Sequence, residues 1–214
     1  MTRLAPRLIF RSDLNTWFRV DLMKKLIEKI TEYLFFAFAR RKKEEVIDVR
    51  DYLSQIMTAL ILAPRRSEEV EAAGQYLFGL RDCFPETQFY LLIEKDIAKT
   101  VAPHDSMQVM AYEQTQINFG GLPKNEVIEM VRARHFDMVI DFNQDFSLFA
   151  TAVCRASQAK LRVCLQHPKR DSFYNFQFRP ASSNSLEMKY ESLIRYLSVF
   201  KSLPEAPSRN FMPA

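Results

Sequence analysis

Residues 58–63 read TALILA and are stopped by Pro64. A short, unbroken apolar run ended by a turn residue is the pattern of a strand buried on both faces, as in a parallel sheet. The downstream segments repeat this pattern in alternation with helices. Residues 68–83 carry Val70, Ala73, Leu77 and Leu80 at helical spacing, and Pro85 closes the segment. Residues 88–93 (QFYLLI) then repeat the buried-strand pattern. The unit recurs: a weak helix over 94–101, a strand at 108–112 (QVMAY), and a helix over 125–134 capped by Asn125. A strand at 138–142 (MVIDF), a helix over 147–157, a strand at 160–165 (KLRVCL) and a last helix over 186–201 complete it. Residues 174–178 read as a loop or a short edge strand. This alternation predicts an α/β, Rossmann-like domain over 58–203: an open parallel sheet of about five strands, with helices on both faces because each crossover is right-handed. One reversal beside the first strand gives the expected order 3-2-1-4-5.

Upstream, residues 1–57 read as an N-terminal helical arm. Asp13 can cap a helix in which Phe18, Leu22, Leu26, Ile30 and Phe38 recur at helical spacing. Its last turn runs into Arg40, Arg41, Lys42 and Lys43, which suit the negative end of a helix dipole. The apolar stripe is large enough to drive association, so it is expected to be covered by the α/β domain, a second copy of the chain or a membrane. The four basic residues are the candidate contacts with a membrane or partner. Glu28 and Glu32 sit where a membrane helix would want lysine, which favours protein, in cis or across a dimer. Downstream, residues 204–214 hold three prolines, have little to pack, and are expected to form a flexible tail.

Composition narrows the chemistry. The chain has 214 residues, 48% hydrophobic and 26% charged, an ordinary globular balance. Four glycines form neither a dinucleotide nor a P-loop fingerprint, which excludes glycine-built phosphate cradles. Three dispersed cysteines and three dispersed histidines lack ligand spacing, so neither a metal nor another cofactor is expected. The odd cysteine count fits a reducing compartment. No apolar run approaches the ~20 residues that span a bilayer. The expected location is cytoplasmic, with attachment to the inner membrane left open through the arm. Residues 1–66 carry a charge of +6 and the remainder −2, so the basic character belongs to the arm. A slightly acidic main domain without a recognition motif argues against nucleic acid as a partner.

Candidate chemistry gathers after the first strand. Arg65 and Arg66 follow it at the carboxyl edge, where open α/β sheets bind ligands, and can clamp a phosphate or carboxylate or simply pair with Glu68 and Glu69. Asp137 and Asp141 bracket the fourth strand and can bond neighbouring loops, with Asp141 also at the ligand edge. His167, past the fifth strand, can face the same edge or lie in solvent.

Three stretches resemble the N-terminal half of the heptosyltransferase-type glycosyltransferases of family 9. They are LILAP followed by LRDCFPETQFYLLI, then RHFDMVIDFN, then SLFATAVCRASQAKLRVCL, spanning about residues 59–165. A second resemblance is to short bacterial proteins that share the last two patterns. The first resemblance implies a Rossmann-like half-domain and a carboxylate after the first strand that activates an acceptor hydroxyl. In the family a Gly-Asp pair supplies it; here Glu68 and Glu69 stand there, so Glu69 is the implied base. The family also carries a second domain for the sugar nucleotide, and only 49 residues follow Leu165. The expectation is therefore a non-catalytic binding or accessory module, against the alternative of a minimal glycosyltransferase for cell-envelope glycans whose donor site comes from a partner.

Overall fold

The computed structural model describes residues 12–38, 47–99, 107–181 and 185–202. Arg40, Arg41, Lys42, Lys43 and the tail at 204–214 lie outside the described residues. Six strands form one sheet: β1 (Thr58–Leu62), β2 (Gln88–Glu94), β3 (Met107–Tyr112), β4 (Met138–Asp141), β5 (Leu161–Leu165) and β6 (Phe176–Phe178). Every neighbouring pair is parallel, and the order is β3-β2-β1-β4-β5-β6. The expected order holds, and residues 176–178 add a sixth strand at the edge. The helices are α1 (Ser12–Phe38), α2 (Val49–Ser54), α3 (Ser67–Cys83), α4 (Lys95–Ala98), α5 (Asn125–Arg132), α6 (Leu148–Ser157) and α7 (Leu186–Ser202).

Strand periodicity assigns the two faces. Ala59 and Ile61 of β1 join Met138 and Ile140 of β4 in a core that also takes Leu53 of α2, Val70 and Leu80 of α3, and Leu193 and Leu197 of α7. Leu60 and Leu62 point the other way, with Val139, into a core completed by Val127 and Val131 of α5 and Val153 and Cys154 of α6. Both faces are therefore buried, which is why these strands read as unbroken apolar runs. At the amino edge the Asp137 carboxylate ties β4 to β1, accepting from the Met57 and Thr58 amides and the Thr58 hydroxyl at 2.9–3.0 Å.

Helix α5 begins at Asn125 itself, after Lys124, and no side chain caps it, contrary to expectation. Helix α6, expected over 147–157, begins at Leu148, and Ser147 is its cap: the Ser147 hydroxyl accepts from the Ala150 amide at 3.1 Å.

Helix α1 corrects a larger expectation. It rests on loops at the carboxyl edge of the sheet, but with the face opposite to the apolar stripe. Phe35 stacks on Phe173 with ring centroids 5.2 Å apart, and Phe36 packs on Phe146 and Phe173 at 5.6 and 5.3 Å. Thr31 abuts Gly120 so closely that a Cβ on the glycine would collide with the threonine side chain. Glu32 pairs with Lys169. Leu22, Leu26, Ile30 and Phe38 are exposed, so of the three expected covers the α/β domain is not the one that takes the stripe. The periodicity defines a stripe correctly. It cannot say that the loops carrying Gly120, Phe146 and Phe173 offer a glycine notch and aromatic rings to the other side of the helix.

Candidate functional site

The sheet order reverses between β1 and β4, and the loops leaving those two strands diverge at their carboxyl ends. That is where open α/β sheets present a crevice. Here the crevice has a volume of about 280 Å³ and is walled by four parts of the chain. The β1–α3 connection supplies Arg65, Arg66 and Glu69; the β4–α6 loop supplies Asn143, Asp145, Phe146 and Ser147; α1 supplies Glu28 and Glu32. Leu148, Phe149 and the Gly120-Gly121 turn complete the wall. Gly121 has φ +81°, a conformation that other residues rarely adopt. A second hollow of about 160 Å³ continues past Glu28 and Gly121 toward Lys24, Gln114 and Phe119.

Within the crevice both guanidinium groups are engaged. The Arg66 guanidinium, exposed on the rim, lies 3.2 Å from Glu69 and 3.3 Å from Asp145. Arg65 donates to Gln114 at 3.0 Å and approaches Glu94 at 4.0 Å. Glu69 is 7% exposed. Burial pushes its carboxyl above the ordinary value; the Arg66 charge opposes this and the Asp145 charge adds to it. Four carboxylates face the space (Glu28, Glu32, Glu69 and Asp145) against two guanidinium groups. Such a lining disfavours a polyanion and suits a ligand that offers many hydroxyl donors. Phe146 and Phe149 add apolar surface.

The structure thus brings Arg65, Arg66 and Glu69 together at one wall. It places Asp141 elsewhere. That carboxylate is fully buried behind the loop, where it accepts from the Tyr174 hydroxyl at 2.6 Å and from the Asn143 amide and side chain at 2.9 and 2.7 Å. His167 is also set back. It begins a short 3-10 turn, accepts from the Lys169 amide through Nδ1, and lies against Phe146, whose ring separates it from the crevice. Burial lowers its pKa, helped by Arg170 and Lys169.

Sequence reasoning missed Arg170. Its side chain is fully buried. It donates to the Leu165 and Asn143 carbonyls at 3.0 and 2.9 Å and to the Asp145 carbonyl, and it lies 3.5 Å from Asp141. Arg170 therefore holds the β4–α6 loop in the shape that makes one wall of the crevice. The only sequence signal was a basic pair after His167-Pro168, indistinguishable from a solvated loop. Among the described residues no group of three His, Cys, Asp or Glu is gathered as for a metal, and no helix is long and apolar enough to cross a membrane. Cys154 and Cys164 are buried thiols whose pKa burial raises.

An open parallel sheet with its crevice at the β1/β4 reversal defines a Rossmann-like α/β fold. Residues 32–200 match a family of unknown function (DUF6913), and the chain belongs to that family. No curated protein matches it in sequence. Among solved structures it is similar to the E. coli heptosyltransferase WaaC with ADP, at 19% identity and a TM-score of 0.54, over 71% of this chain and 50% of that one. It is also similar to a family 9 glycosyl transferase from Veillonella parvula DSM 2008, at 12% identity and a TM-score of 0.56, over 66% and 41%. The chain spans half or less of the length of either. At these identities the likeness is one of fold, and function has to be argued from the crevice.

Proposed function

We propose that the chain is a glycosyltransferase-like binding module whose crevice holds a hydroxyl-rich saccharide without turning it over. One observation carries this reading: at the switch point, carboxylates, guanidinium groups and two phenylalanine rings line a space of about 280 Å³. Carboxylates accept from sugar hydroxyls, guanidinium groups donate to them, and ring faces cover the apolar C–H face of a pyranose. The non-catalytic half of the proposal is supported by Glu69, which is engaged by Arg66 rather than free to face an acceptor. Its loop also lacks the Gly-Asp turn of the transferases it resembles.

Thermal shift against a panel of free sugars, sugar phosphates and nucleotide sugars tests it. A neutral or amino saccharide at one hundred times its Kd should stabilise the chain by about 2.7 kcal/mol. Asp145→Asn with Glu69→Gln should abolish the shift. Stabilisation by phosphorylated ligands alone would refute the saccharide reading.

The raised pKa of Glu69 favours a second reading, a minimal glycosyltransferase with a borrowed donor site, because a base is most effective when its pKa nears the working pH. Product formed from a nucleotide sugar, and lost in Glu69→Gln, would establish that reading in place of the first.

A further inference from the structure

We propose that the outward face of α1 docks on an anionic lipid surface. Apart from Phe35 and Phe36, which seat it, this helix is inverted relative to an ordinary surface helix: Glu28 and Glu32 face the crevice, while Leu22, Leu26, Ile30 and Phe38 face out. Leu22, Met23, Leu26, Ile30, Tyr33 and Leu34 are 47–74% exposed and follow one another along the same face. No charged residue interrupts that face from Leu22 to Phe38, roughly 24 Å at 1.5 Å per residue. A soluble monomer ordinarily leaves at most roughly 300–600 Å² of contiguous apolar patch bare, and such a patch marks an interaction surface.

Charge selects the occupant. Glu28 and Glu32 line the crevice on the domain side, and helical spacing puts Asp21 on that side too. The borders of the apolar face carry lysine instead, Lys24 on one side and Lys29 on the other. The sequence adds Arg3, Arg7 and Arg11 before the helix and Arg40, Arg41, Lys42 and Lys43 after it. An apolar face edged by lysines, with acids turned away, is the arrangement of a helix that lies in a lipid interface while its lysines reach anionic headgroups. A second copy suits it less well. A two-fold pairing of this face would set lysine borders against lysine borders with no acid among them. Glu28 and Glu32, which favoured protein over membrane because they stand where a membrane helix would want lysine, are turned toward the domain. With α1 in the interface plane, the crevice opens about one helix diameter, ~10 Å, from the headgroups.

Flotation of the full chain with vesicles tests the proposal. One set is phosphatidylcholine alone, and the other holds one part phosphatidylglycerol to three of phosphatidylcholine. The expected result is binding to the anionic set that weakens in high salt. Lys24→Glu with Lys29→Glu should reduce it roughly tenfold or more, at ~1 kcal/mol per basic residue. Leu26→Asp with Ile30→Asp should abolish it without changing the thermal melt, because both side chains are already in water. Equal binding to both vesicle sets, no binding to either, or binding that survives the aspartates overturns the proposal. So does a dimer, seen by light scattering, that the aspartates dissociate while the wild type fails to float.

Discussion

Glu69 and Arg170 show how differently two buried charges act. Glu69 has its pKa raised above the ordinary 4.5, chiefly by burial, so the folded chain binds this proton more tightly than the unfolded chain. Stability from this group is therefore greatest below about 4.5 and declines as pH rises through the raised value, then levels off. Glu69→Gln should remove that part of the slope, leaving a flatter profile of melting temperature from mildly acid to neutral pH. An unchanged slope would mean the carboxyl is better solvated than its surroundings indicate. Arg170 neutralises Asp141 and satisfies three carbonyls, so Arg170→Met strands a buried carboxylate. The cost should be ~3–5 kcal/mol in urea denaturation, and Asp141→Asn added to it should recover part of the loss. Asp137 was legible as a strand-end residue with a bonding role, although its partners, Met57 and Thr58, lie about 80 positions away and follow only from the β1–β4 pairing. Arg170 was not, because its burial depends on the closure of three separate loops.

At the level of elements, legibility followed burial. TALILA and MVIDF are apolar on both faces because helices cover both, so a one-dimensional pattern was enough to find β1 and β4. β6 was marginal because three residues at an edge leave little pattern. α1 was found almost to its ends, but its orientation was lost. An amphipathic pattern states which residues are alike and is silent on which side meets the protein. The Thr31–Gly120 approach fixes that side. Gly120→Ala should push α1 off its seat at a cost of ~1–3 kcal/mol to local docking. Hydrogen exchange would then show faster exchange of amides across 24–38, with β1 and β4 unaffected. Equal protection in both proteins would place the seat of α1 in its phenylalanines alone.

Across the whole molecule, the open parallel sheet, its strand order and its two helical layers were readable, and the resemblance to family 9 glycosyltransferases correctly anticipated the solved structures that share the fold. The crevice was half readable. Its β1 wall comes directly after a strand, whereas its α1 wall is joined to the rest only through tertiary contact. The parallel sheet has a further consequence, in time rather than space. With no hairpin in it, each strand pairing must wait for a crossover. Of the five pairings, β1 with β4 joins the most distant segments, Thr58 and Asp137 being 79 positions apart. Closing that span carries the largest loop-entropy penalty in the sheet and belongs to the slow part of folding. The crevice lies on this seam, so it does not exist until the seam closes. A nascent chain that has laid down β1, β2 and β3 carries one wall of a binding site and none of its affinity.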